Sequence, residues 1–158
     1  MSDKKIISPK DRSFQERNGK NNEFYIKFRA LIKELQQREL PDFIIEIINN
    51  ELNSINSYMG EEREIIKVVK KSQRKIVTLL EKELKIVPKS YYQKLWMILG
   101  MSVFGLPMGA TFGLLSDNMG ILGVGLPLGM AIGIAVGNQM DKKALKEGRQ
   151  LGIELDIY

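Results

Sequence analysis

The chain contains neither cysteine nor histidine. Their absence excludes thiolate nucleophiles, imidazole acid–base catalysis, His/Cys zinc sites, disulfides and Cys-linked lipid anchors. No Gly-Lys-Ser/Thr phosphate loop exists, and the clustered carboxylates Glu61, Glu62 and Glu64 are explained by a helix start, where the dipole favours them. The sequence thus offers no catalytic residue, no cofactor-binding motif and no metal-ligand set, and a non-enzymatic protein is expected. Charge is also missing from one long stretch. Among 24 basic and 19 acidic residues, only Asp117 lies between Leu95 and Met140. Ten of the 14 glycines lie in that same stretch. An ordinary average composition therefore hides a polar chain and an apolar, glycine-rich one.

The apolar part reads as a membrane hairpin. Leu95–Leu115 and Met119–Gly137 carry no charge and run for 21 and 19 residues. A bilayer's hydrocarbon core is crossed by about 20 apolar helical residues. Only Ser116, Asp117 and Asn118 separate the two, so the segments must run antiparallel. The competing reading, a buried hairpin in a water-soluble core, requires the charged remainder to sheath two all-round apolar helices. The first twenty residues lack the apolar core of a signal peptide. Lys82, Lys85, Lys89 and Lys94 precede the first span, and Lys142, Lys143, Lys146 and Arg149 follow the second, whereas the turn has no Lys or Arg. The positive-inside rule then puts both termini in the cytoplasm. Lys89, Tyr91, Tyr92, Lys94, Trp96, Lys142 and Lys143 are the expected membrane-interface residues, and Ser90 is the expected cap of the first span.

Within the spans, Gly105-Leu-Pro-Met-Gly109-Ala-Thr-Phe-Gly113 is repeated twenty residues later as Gly125-Leu-Pro-Leu-Gly129-Met-Ala-Ile-Gly133, and the second copy continues to Gly137. Glycines four apart form one helical stripe that lets another backbone approach, which is a main source of helix association in lipid. The expected helix-packing residues are Gly105, Gly109, Gly113, Gly125, Gly129, Gly133 and Gly137. Either the two stripes face each other and close the hairpin, or a stripe remains for a second copy. The second helix also carries Gly123, Ala131 and Ala135, enough small residues to serve both. Pro107 and Pro127 occupy equivalent positions and predict a bend in each span. Ser102 and Thr111 are the only polar side chains expected within the bilayer, which argues against a stand-alone carrier.

From about Gly100 to Leu151 the GLPxGxxxG repeats and the exit sequence Met-Asp-Lys-Lys-Ala-Leu-Lys-Glu-Gly-Arg-Gln-Leu (140–151) resemble bacterial glycine-zipper transmembrane hairpin proteins. The resemblance covers about a third of the chain. It implies an inner-membrane location and an architecture rather than a chemistry.

The remainder reads as helical. Phe24, Phe28, Leu31 and Leu35 give one amphipathic helix over Asn21–Glu39. Pro41 is placed to start a second helix, with Ile44, Ile48, Leu52, Ile55 and Met59 on one side, asparagines on the other and Gly60 as C-cap. A third carries Ile66, Val69, Ile76, Leu80, Leu84 and Val87, interrupted at Gln73. Its polar face holds Lys67, Lys70, Lys71, Arg74, Lys75, Lys82 and Lys85, which suits lipid headgroups or simply a solvated face. Nucleic acid fits poorly, because the basic excess is modest and no binding motif accompanies it. No strand pattern is evident. The expected organisation is a disordered basic tail over 1–20, a cytoplasmic helical region over 21–88, and a hairpin over 89–140 with spans near 95–115 and 119–139. A cytoplasmic tail over 141–158 completes it.

The fold class expected is all-α, with a two-helix transmembrane hairpin and about three cytoplasmic helices. The expected function is that of a multi-pass anchor that clusters the helical domain as a homo-oligomer, for contact with itself or a protein partner. The alternative is an oligomeric pore or membrane-perturbing protein, against which neither span shows a polar stripe.

Overall fold

A computed structural model describes residues 5–12, 19–118, 120 and 122–155. The chain is mostly helical and divides into two compact units, Met1–Pro88 with Leu151–Ile157, and Lys89–Gln150. The first unit is built on α1 (Lys20–Leu35), α2 (Asp42–Ser57) and α3 (Glu62–Leu84). Amphipathic periodicity creates its core: Phe28, Leu31 and Leu35 from α1, Ile44, Ile48, Leu52 and Ile55 from α2, and Val69, Ile76 and Leu80 from α3 are all buried. Helix α3 packs against both of the others. Ser72 and Gln73 are buried too; the Ser72 hydroxyl donates to the Glu51 carboxylate at 2.6 Å, so a polar residue in the apolar face keeps a partner. Burial pushes Glu51 upward, but hydrogen bonds from Lys75 and Ser72 outweigh it and hold the carboxyl below its ordinary value.

Several details differ from the sequence reading. Tyr25 rather than Phe24 is buried, and burial raises the Tyr25 phenol above its usual value. Met59 is 95% exposed because α2 ends at Ser57. The end is capped at Tyr58, not Gly60, and Pro41 precedes the first helical residue rather than occupying it.

Over residues 5–12 the expectation of a disordered tail is overturned; 1–4 and 13–18 lie outside the described residues. The segment is held by side chains that satisfy its backbone, which an apolar count cannot reveal. Asn49 accepts the Ile7 N–H at 2.9 Å and donates to the Lys5 carbonyl at 3.0 Å. About two turns further along α2, Asn56 does the same for Lys10 and Ser8 at 2.8 and 3.1 Å. Gln36, which follows α1, donates to the Ile6 carbonyl, and Tyr25 of α1 to that of Lys10. Within this strap Ile6 and Pro9 are buried.

Two short strands were also not expected. β1 (Val87–Lys89) and β2 (Gln150–Glu154) pair into a two-stranded sheet. Val87 and Leu151 are buried, and the Gly152 N–H donates to the Glu34 carboxylate of α1 at 2.8 Å. The end of the chain through Leu155 therefore belongs to the helical unit instead of forming a free tail.

Candidate functional site: a glycine-seamed helical hairpin

The second unit is one hairpin. Its first arm is helical from Tyr91 to Leu115 and comprises α4 (Tyr91–Leu99), a π-helical turn (Gly100–Gly105) and α5 (Leu106–Leu115). The second arm is α6 (Leu122–Lys146). Both arms are long and apolar enough to cross a membrane. The arms reach beyond the expected spans at both outer ends; residue 119, the expected start of the second span, lies outside the described residues. Good helix formers from Lys142 to Lys146 carry α6 onward until Gly148, at φ 68°, ends it with the Arg149 N–H bonded to the Ala144 carbonyl.

The arms meet backbone to backbone along a seam of glycines. Gly125 faces Gly105 and Gly109, Gly129 faces Gly100 and Gly105, Gly133 faces Trp96 and Gly100, and Gly137 faces Tyr92 and Gln93. A Cβ on Gly137 would sit 2.5 Å from the Tyr92 carbonyl oxygen, and the other three would meet backbone at least as closely. On Gly105 it would stand 3.0 Å from the Gly125 carbonyl oxygen, a tight rather than impossible fit. Gly109 and Gly113 are buried as well. Gly123 has nothing within 4 Å of where a Cβ would stand, and Ala131 and Ala135 are exposed. The seam thus uses one of the two small stripes of α6 and leaves the other uncovered.

Gly100 is a seam residue that four-residue periodicity does not find. It lies five positions before Gly105, and five steps of an α-helix turn the chain about 140° away from a stripe that four steps nearly maintain. The π-helical turn spans these two glycines, and its wider i→i+5 pattern brings both to α6. Pro107, which cannot donate, follows immediately in the first turn of α5. In α6, Pro127 lies inside the helix and points away from the seam.

The second missed residue is Asp141. Its carboxylate accepts the Tyr92 N–H at 3.1 Å and the Gln93 N–H at 2.9 Å, and the residue is 8% exposed. It caps the N-terminus of α4 from the other arm, satisfying two orphan donors where the helix dipole also favours an anion. The expected cap, Ser90, makes no side-chain cap bond. It adopts a left-handed φ of 59° in the turn after β1, whereas a capping residue is extended.

Of the expected interface residues, Tyr92 is buried and forms an edge-to-face pair with Tyr91 at 5.2 Å. Lys94, Tyr91 and Trp96 are half-buried, and Lys89, Lys142 and Lys143 flank the outer ends of the arms. Away from the seam both arms present apolar side chains: Val103 is 56% and Leu114 70% exposed, and Phe104, Leu128 and Ile132 are exposed as well. Ser102 and Thr111, the polar side chains expected within the bilayer, turn inward on their own helices, Ser102 donating to the Ile98 carbonyl at 2.6 Å and Thr111 to the Pro107 carbonyl at 2.9 Å. Among the described residues no group of His, Cys, Asp and Glu could hold a metal ion. Compared with family models, curated proteins and solved structures, the chain matches none.

Proposed function

We propose that the protein is a non-enzymatic bilayer anchor whose hairpin fixes, and by self-association clusters, the helical unit at the cytoplasmic face of a bacterial inner membrane. One observation carries this reading: the arms spend their contact on backbone, so their large apolar side chains remain exposed on the outside. A glycine seam buries little side-chain surface, and in water such a hairpin would leave a contiguous apolar ring unsolvated. In lipid the same ring is the compatible exterior, and close van der Waals packing is what holds helices together. Pairing of β1 with β2 at the two flanks, and the Asp141 cap between the outer ends of the arms, support both flanks lying on one side. Lys82, Lys85, Lys89 and Lys94 before the hairpin, and Lys142, Lys143, Lys146 and Arg149 after it, support that side being cytoplasmic. Support for association between copies comes from Gly123, Ala131 and Ala135, which are exposed on α6. The self-bonded Ser102 and Thr111 leave no polar stripe to line a conduit, which weighs against a pore.

A hairpin exchange tests the reading. Cells lacking the protein are given a chain in which 89–150 is replaced by an unrelated two-span hairpin. An anchor keeps its interaction partners, recovered by affinity purification, because specificity resides in the helical unit. Loss of those partners, together with ion conductance by the original full chain in planar bilayers, would establish the pore instead.

A further inference from the structure

Helix α3 has a second face, of which the anchor role draws only on the charge of Lys82. Lys67, Lys70, Lys71, Arg74, Lys75 and Lys82 recur at helical spacing opposite the buried side and flank an open groove of about 680 Å³, floored by Thr78 and Leu79. From Ile65 to Leu80 the helix contains no Asp or Glu. Two of these cations are engaged: Lys75 pairs with Glu51 at 2.8 Å, and Lys70 lies 5.3 Å from the centre of the Phe24 ring. Lys67, Lys71, Arg74 and Lys82 make no ion pair among the described residues. The stripe is about 22 Å long at the α-helical rise.

We infer that this basic face of α3 seats on the phosphate headgroups of anionic lipids. The inference rests on the hairpin reading, because that reading supplies the bilayer. The groove is lined by one helix only and is open, so it has no walls that would select a compact ligand. A long row of cations with exposed stems instead matches a planar array of phosphates, with the aliphatic stems of lysine resting against the interface. Reach is sufficient. Eight residues separate Lys82 from Tyr91, where the apolar arm begins, so at most about 30 Å of extended chain lies between them. Cations close to an anionic leaflet each strengthen attachment about fivefold, an effect confined to roughly a Debye length. Such seating would order the helical unit against the membrane instead of leaving it held only by the two chain segments that enter and leave the hairpin.

The absence of cysteine makes the test direct. Full-length Thr78→Cys protein is labelled with an environment-sensitive fluorophore and reconstituted in vesicles of phosphatidylcholine, with or without phosphatidylglycerol. The expected result is a blue-shifted emission only with phosphatidylglycerol, reversed by high salt. K67R/K71R/R74K keeps the shift, whereas K67Q/K71Q/R74Q loses it at unchanged helicity, since three neutralisations weaken seating by about a hundredfold. Equal emission in both lipids, or a shift retained by the glutamine variant, overturns the inference. So does a shift produced in phosphatidylcholine vesicles by added inorganic phosphate or by a polyglutamate peptide, which would assign the groove to a free anion or an acidic protein. Flotation after carbonate treatment separates the two readings. A chain that floats without a lipid-dependent shift sinks only the lipid contact; a chain that carbonate releases sinks the hairpin, and the inference falls with it.

Discussion

Asp141 stands one helical turn beyond Gly137, in the same four-residue register as Gly125, Gly129, Gly133 and Gly137. The ladder therefore ends in a carboxylate, and that carboxylate meets the first free N–H groups of α4. Continuing the register by one step would have found it in the sequence, where it looks like one charge of an exit cluster. The two hydrogen bonds and the dipole together predict that Asp141→Ala lowers hairpin stability by about 1–2 kcal/mol, with Asp141→Asn less costly because one acceptor remains. Thermal unfolding of the full chain in mild detergent measures this, and an unchanged midpoint for the alanine variant would contradict the capping role. The glycines make a graded prediction in the same assay. Gly129→Ala and Gly133→Ala force apart backbones already in contact and should each cost about 1–3 kcal/mol. Gly105→Ala should cost less, and Gly123→Ala, which meets open space, should be neutral. Equal effects at Gly123 and Gly133 would show that the seam is not the stability-determining contact.

At the scale of elements, the π-helical turn reconciles two arms of different period. From Trp96 the first arm steps by four to Gly100, by five to Gly105, then by four to Gly109 and Gly113, while α6 steps by four throughout. Deleting Met101 should convert the five-step into a four-step and preserve the seam in a regular α-helix. Inserting one alanine after Met101 should carry Gly100 and Trp96 off it. The check is disulfide cross-linking between cysteines introduced in α4 and α6: yield should survive the deletion and collapse on insertion, and the opposite pattern would contradict the register argument. Helices α1 to α3 and both arms were readable because apolar periodicity and charge exclusion each report burial or lipid over many residues. β1 and β2 were not, being three and five residues long and containing Pro88 and Gly152. The 5–12 strap escaped because Asn49 and Asn56 hold its backbone, and asparagines on the polar side of an amphipathic helix look like solvated surface.

For the molecule as a whole, the sequence divides where the chain does: the chain leaves the helical unit at Pro88, forms the hairpin, and returns at Leu151. The proposed function requires this excursion to cross a bilayer twice. Cysteine-free chemistry again allows a direct measurement, accessibility of single cysteines to a membrane-impermeant maleimide in intact cells. Asp117→Cys, in the turn between the arms, should be labelled from outside, while Lys146→Cys and Lys10→Cys should react only after the membrane is opened. Labelling of all three positions in intact cells, or of none until lysis, would contradict a hairpin that spans the membrane with both flanks inside.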